Sequence, residues 1–154
     1  MATSTVPALK AALLDRLQAR PGLASVQISW GRPHGKLAPE WIMLGSTRAA
    51  DPTGEERGGQ STAVIGRRSR EERYVLDVWV SCLSAGLSDQ QALTERAYEL
   101  VGEIEDELRV DPTVNATVRT AQVADASELT ESVSENAQHR ESLVRVQVAC
   151  AERI

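Results

Sequence analysis

The sequence predicts an α+β fold: a mostly antiparallel or mixed sheet of about five strands, covered on one face by two helices. Residues 73–82 and 143–150 (RYVLDVWVSC and LVRVQVAC) alternate apolar and polar side chains, as strands with one buried face do. A single long amphipathic helix separates them. Because strands do not alternate with crossover helices, the predicted order α-β-β-β-α-β-β excludes a doubly wound parallel sheet.

The N-terminal part predicts one helix followed by two strands. The helix begins near Thr5 and ends before Pro21, which cannot continue it. Residues 26–30 alternate as a short strand, and a Gly- and Pro-containing loop follows over 31–39. Residues 40–47 contain the continuous apolar run 41–44, which predicts a second strand covered on both faces.

Residues 48–70 are polar and rich in Gly and Arg, and they predict one long mobile loop. Loops longer than about 12–15 residues are uncommon in compact domains and tend to be functional or disordered.

The long helix is predicted from its start signal and its apolar stripe. Ser88 and Gln91 have the spacing of a capping box, and Asp111 with Pro112 ends the helix. Its buried stripe is predicted to consist of Leu93, Ala97, Leu100, Val101, Ile104 and Leu108.

The last two strands are predicted over 114–123 and 143–150, with a polar connection over 124–138. Alternation then assigns a polar set with one large aromatic ring to the sheet face opposite the helices. This set comprises Asp77, Trp79, Thr117, Arg119, Arg145 and Gln147.

Composition favours one domain over residues 1–154. Hydrophobic residues make up 42% of the chain, yet Phe is absent and aromatic residues are only 3%. The core is therefore expected to consist of Val, Leu, Ile and Ala. A second domain would have too little apolar material for a core of its own.

The charge and the cysteines exclude several classes of function. A net charge of −5 disfavours duplex binding through overall charge, and no segment approaches the roughly 18 apolar residues of a membrane span. Cys82 and Cys150 are expected to be buried thiols, although a disulfide between neighbouring strands stays open. With His34 and His139 far apart, no metal or cofactor is predicted.

No catalytic residue is predicted, and the chain is not expected to be an enzyme. The sequence has no phosphate loop, nucleophile elbow, dinucleotide fingerprint, HExxH or CxxC motif.

The candidate functional residues are therefore surface residues suited to protein contacts. Glu99 and Glu103, with Glu95, form an acidic ridge that faces a basic patch on another subunit, lines a channel to which a polyanion must not stick, or is simply solvated. Trp79 either anchors an interface or is covered within the subunit. The predicted mobile loop contributes basic residues, which are either contact residues or a solvated cluster: Arg57, Arg67, Arg68 and Arg70.

Four segments together resemble the tail-terminator (tail-completion) proteins of long-tailed bacteriophages and related prophage particles. These are VPALKAALLDRLQA, EERYVLDVWVSC, DQQALTERAYELVGEIEDELRVDPTV and RESLVRVQVACAE. The resemblance implies a small α+β subunit of a ring, usually of six copies, at the head-proximal end of the tail tube. Such a ring stops tube polymerisation and offers a joining surface to the head.

The resemblance also implies partners and a location. The partners are further copies of the chain, the major tail-tube protein and a head-completion or connector protein, and DNA passes through the ring only as cargo. The protein is expected in the virion after assembly in the host cytoplasm. Two alternatives remain: another neck component, or a soluble enzyme or ligand-binding protein with a pocket under the 31–39 loop.

Overall fold

The computed structural model describes residues 4–50, 71–85, 89–134 and 139–154. The predicted fold class and the order α-β-β-β-α-β-β are confirmed, with one short 3-10 turn at Pro21–Leu23. The elements are α1 (Val6–Ala19), β1 (Gln27–Trp30), β2 (Glu40–Ala49), β3 (Glu71–Ala85), α2 (Gln90–Val110), β4 (Thr120–Val133) and β5 (His139–Arg153).

The sheet is mixed, with the strand order β1-β2-β3-β5-β4. Only β1 and β2 are parallel, and the other neighbouring pairs are antiparallel. β3 pairs with β5 over their whole length, from Glu71 opposite Arg153 to Ala85 opposite His139.

Both helices pack on the same face of the sheet, α1 on β1 and β2 and α2 on β3, β4 and β5. This face carries the alternate apolar residues of the strands, so the core lies between one sheet face and one layer of helices. The predicted strand residues are all buried there: Tyr74, Leu76, Val78, Val80, Cys82, Val144, Val146, Val148 and Cys150.

The start of α2 differs from the predicted capping box. Its N-cap is Asp89, whose side chain accepts a hydrogen bond from the Gln91 backbone N–H at 3.0 Å. Ser88 lies outside the described residues. The carboxylate at N-cap satisfies one of the free N–H groups of the first turn, as the predicted serine would have done.

The position of β4 corrects the sequence prediction. Residues 124–133, predicted as a connection, are strand, while residues 114–119 form a turn that places Thr117 and Arg119 before β4. In that turn Val114, Asn115 and Ala116 all have positive φ, which no strand allows. The pattern was misread because Val114 and Val118 are buried by this turn.

Two further predictions are corrected in β2. Arg48 and Ala49 belong to the strand and not to the predicted loop, whose residues 51–70 lie outside the described part of the chain. β2 is also not covered equally on both faces, because Ile42 and Leu44 are fully buried while the alternate Trp41 and Met43 are only half-buried.

A ladder of ion pairs joins the two helices. Arg16 contacts Glu107 at 2.7 Å and Asp111 at 3.0 Å, and Arg20 contacts Glu107 at 2.9 Å and also pairs with Glu103. Residues four apart lie on one side of a helix, so Arg16 of α1 and its C-cap Arg20 match Glu103 and Glu107 of α2 and its C-cap Asp111. The ladder fixes the relative position of α1 and α2.

Cys82 and Cys150 are buried free thiols, as predicted. Burial raises the pKa of each thiol to about 12, because a thiolate would lose its hydration there. Both side chains therefore act as small apolar core residues.

Candidate interaction surface

The sheet face opposite the helices is the candidate functional surface, and we call it the open face. The buried residues of β3 face the helices, so the alternate residues, including Asp77 and Trp79, face the other way. Register places Arg145 of β5 opposite Trp79, and Gln147 opposite Asp77. Four of the six residues predicted for this face are thus neighbours.

Trp79 is half-buried and held between two neighbouring strands. On the β5 side, the Arg145 guanidinium carbon lies 6.0 Å from the indole centroid, within the range of a weak cation–π contact. Arg145 also forms an ion pair with Glu128 of β4. On the β2 side lies Gly45, where an added Cβ would come within 3.2 Å of the indole Cδ1. Trp79 is therefore an ordered aromatic side chain.

Asp77 and Arg48 form a second ordered pair on the open face. The Asp77 carboxylate is nearly buried, and Arg48 Nη1 donates to its two oxygens at 3.2 and 3.1 Å. The Arg48 side chain itself is about half exposed. Sequence reasoning missed Arg48 because it was placed in the loop. The register of β2 also shifts between Leu44 and Thr47, and this shift places Arg48 on the open face.

The open face extends over β2 with two large half-buried side chains, Trp41 and Met43. Trp41 lies opposite Ser81, whose hydroxyl donates to Glu141 at 2.6 Å. The Trp41 Nε1 is buried without a hydrogen-bond partner in the described part of the chain. The face thus combines aromatic area with paired charges, the composition that favours protein contacts.

The acidic residues predicted as a ridge on α2 each have a partner within the chain. The Glu95 carboxylate accepts from Gln91 Nε2 at 2.7 Å, and Glu99 pairs with Arg96 at 2.9 Å. Glu103 belongs to the interhelical ladder through Arg20. Of the three, Glu95 and Glu99 are exposed. A role for Glu99 or Glu103 in an interface stays a prediction.

The structure does not locate the predicted basic contact residues Arg57, Arg67, Arg68 and Arg70, which lie outside the described residues. Among the predicted site residues, Trp79 is the one with described neighbours on both adjacent strands. No prediction about the four arginines is tested.

The cavities and titratable side chains elsewhere on the described surface do not form an evident ligand site. Two shallow cavities, of about 330 and 400 Å³, lie at the α2–β4 boundary and beside the first residues of β3. Neither is lined by residues 31–39, where a ligand-binding alternative needs its pocket. The described residues contain no group of three or more potential metal ligands. Neither described helix has the length and apolar content to cross a membrane.

No family model matches the sequence, and no curated protein matches it. Among solved structures, the chain is similar in fold to a chain of the "Virion of native gene transfer agent (GTA) particle", with a TM-score of 0.47 and 15% identity. That match covers 97% of this chain and 99% of the other. A likeness of this size concerns the path of the chain and does not define a function.

Proposed function

We propose that this chain is a structural component of a long-tailed phage or prophage particle, and that it acts there as the tail terminator. Its copies form a ring, six in number, on the head-proximal end of the tail tube. The ring stops tube polymerisation and offers a joining surface to the head-completion protein. The chain acts without catalysis and without a cofactor.

The open face of the sheet carries this proposal. Both described helices lie on one side of a sheet with strands of up to 15 residues, so no described helix covers the opposite face. Its centre combines Trp79 with Arg145, and tryptophan and arginine are the residue types most enriched among those that dominate protein interfaces. Their order before binding reduces the entropy lost on contact.

The mechanism is geometric. Identical subunits that contact each other head to tail close into a ring, and the two faces of such a ring differ. One face matches the last ring of the tube, while the opposite face lacks the site that the next tube subunit requires. Growth stops because no further tube subunit has a matching surface.

The proposal is tested by adding the purified protein to the polymerising tail-tube protein of the same particle. We expect shorter tubes of uniform length in negative-stain electron micrographs. The Trp79→Ala variant should bind tubes at least about ten-fold more weakly, because removal of a central aromatic anchor costs about 2 kcal/mol or more.

The matched control is Val110→Ser, which changes a strongly exposed apolar residue at the end of α2, away from the open face. Thermal unfolding of both variants separates lost binding from lost folding. Tubes that grow to the same lengths with and without the wild-type protein would contradict the proposed function. Unimpaired tube binding by a folded Trp79→Ala variant would contradict the role of the open face.

A further inference from the structure

The two edges of the sheet are complementary to each other. One edge is β1 with the crossover 31–39, which we call the β1 edge. The other edge is β4 with the adjoining side chain of Tyr98, which we call the β4 edge; the Tyr98 hydroxyl donates to the Ala126 carbonyl oxygen of β4 at 3.1 Å.

Exposed apolar side chains lie at both edges. Among the described residues, four of the five large hydrophobic side chains that are exposed belong to them. Trp30 and Leu37, 47% and 41% exposed, lie at the β1 edge, and Tyr98 and Val133, 38% and 50% exposed, lie at the β4 edge. Exposed apolar side chains that cluster in this way indicate contact surfaces, whereas single exposed apolar residues do not.

The two edges carry opposite charge. From Gln27 to Pro39 the sequence contains Arg32 and Lys36 and no acidic residue. From Thr120 to Val133 it contains Asp125, Glu128 and Glu131 and no basic residue.

The cations of the β1 edge are available to a partner. Arg32 and Lys36 are exposed, and neither forms an ion pair within the described residues. Within the described residues, Glu131 on the β4 edge accepts only a neutral hydrogen bond, from Thr94 Oγ1 at 2.5 Å, and its side chain is exposed. The opposite charges would therefore gain partners when the two edges meet.

We infer that copies of this chain associate head to tail, with the β1 edge of one copy against the β4 edge of the next. Trp30 and Leu37 then contact the apolar residues Tyr98 and Val133, and Arg32 and Lys36 face the carboxylates of β4. The register of β4 against β5 shifts between Val123 and Glu128, which opposes a continuous backbone ladder along this edge, so side chains make the contact.

This contact is heterologous, because the two surfaces differ, and it repeats with every added copy. Closure of this repeated contact into a ring rests on the proposed function, and the contact itself does not. Self-association itself is measured without any tail tube.

The test reverses the charge of the β1 edge or cancels that of the β4 edge, and follows self-association by light scattering over a concentration series at low salt. The β1-edge variant is Arg32→Glu with Lys36→Glu, and the β4-edge variant is Glu131→Lys with Ser132→Lys. Each variant alone should associate about ten-fold more weakly than the wild type, because like charges face each other in the β1-edge variant and the attraction between the edges is lost in the β4-edge variant.

A mixture of the two variants should recover association. In the first variant both edges are acidic, and in the second the β4 edge has gained positive charge, so contacts between unlike copies restore opposite signs. High salt should weaken association of the wild type and of the mixture. The control, Ala11→Lys with Asp15→Lys on the exposed side of α1, changes the net charge as much as the β4-edge variant does and should leave association unchanged.

A wild-type protein that stays monomeric throughout, or edge variants that associate as the wild type does, would overturn the inference. If the edge variants lose tube binding while the wild type shows no self-association, the edges bind another protein. That result would also overturn the inference. The proposed function survives these results if the protein still caps tubes. Conversely, edge-dependent association without capping keeps the inference and removes the proposed function.

Discussion

Gly45 sets the position of Trp79 on the open face. A Cβ at this position would lie 2.8 Å from the Asp77 carbonyl oxygen and 3.2 Å from the indole Cδ1. The first contact is with backbone of the neighbouring strand, which cannot move without disturbing the sheet. Only glycine therefore allows the strand and the indole to approach this closely.

We expect Gly45→Ala to destabilise the fold by about 1–3 kcal/mol, because overpacking forces side chains and backbone apart. The same substitution at Gly102 is the control, since a Cβ there meets nothing within 4 Å. Gly102 lies within α2, so Gly102→Ala should stabilise the fold by about 0.5–1 kcal/mol. Urea unfolding measures both, and equal effects of the two substitutions would contradict the packing described for Gly45.

The buried thiols predict how reactivity and stability depend on pH. Cys82 and Cys150 should resist maleimide in the folded protein at pH values near 8 and react once guanidinium unfolds it, because both thiols are buried and neutral. Equal modification rates in the folded and unfolded protein would contradict this.

The thiols also contribute to stability in a defined pH range. The pKa of both thiols in the folded protein, about 12, lies above the unfolded value of about 8.5. The folded state is therefore more stable when the thiols are neutral than when they are ionised. This contribution is fully present below the unfolded pKa and is lost as the pH rises towards 12. A Cys82→Ala, Cys150→Ala variant should therefore lose less stability than the wild type does between pH 8.5 and 11, measured by urea unfolding.

At the scale of elements, the interhelical ladder holds α1 against α2. Glu107 is its central residue, because its two oxygens pair with Arg16 and Arg20 and its side chain is only 12% exposed. Removing it leaves two partly buried guanidinium groups with fewer partners. Exposed pairs differ, because water already satisfies their charges.

We expect Glu107→Ala to lower the free energy of unfolding by about 1–3 kcal/mol, the cost of leaving partly buried charged groups without partners. Glu105→Ala is the control, because its partner Arg109 is 68% exposed, and such pairs contribute at most about 1 kcal/mol. Urea unfolding compares the two variants. A loss at Glu107 no larger than that at Glu105 would show that the ladder does not stabilise the helix pair.

The elements differ in how well the sequence predicts them. β3 and β5 were predicted correctly because each buries one face under helices and alternates without interruption. β4 was misplaced because it is an edge strand with two register shifts, so its exposed residues break the alternation. The turn before it resembled a strand because it buries Val114 and Val118, and periodicity does not reveal the left-handed backbone of residues 114–116.

The surface residues also differ in how well the sequence predicts them. Trp79 and Arg145 were assigned to the open face because alternation alone determines the face of a strand residue. Arg48 was missed because the end of β2 is polar and resembles a loop. The complementarity of the β1 and β4 edges depends on the strand order β1-β2-β3-β5-β4, which brings residues distant in sequence to opposite edges, and no local pattern contains that order.

At the scale of the whole molecule, the two described helices form one layer on one face of the sheet. The open face and the two sheet edges are therefore separate surfaces of the described residues. In the proposed ring, the edges would form the contacts between copies, and the open face would be left for the tube.

The most direct test adds the protein to tail tubes while they are still growing and follows tube length with time by electron microscopy. We predict that elongation stops soon after addition and that each stopped tube carries one extra ring at a single end. Tubes that continue to lengthen at the rate seen without the protein, or that carry it along their whole length, would contradict the role of a terminator.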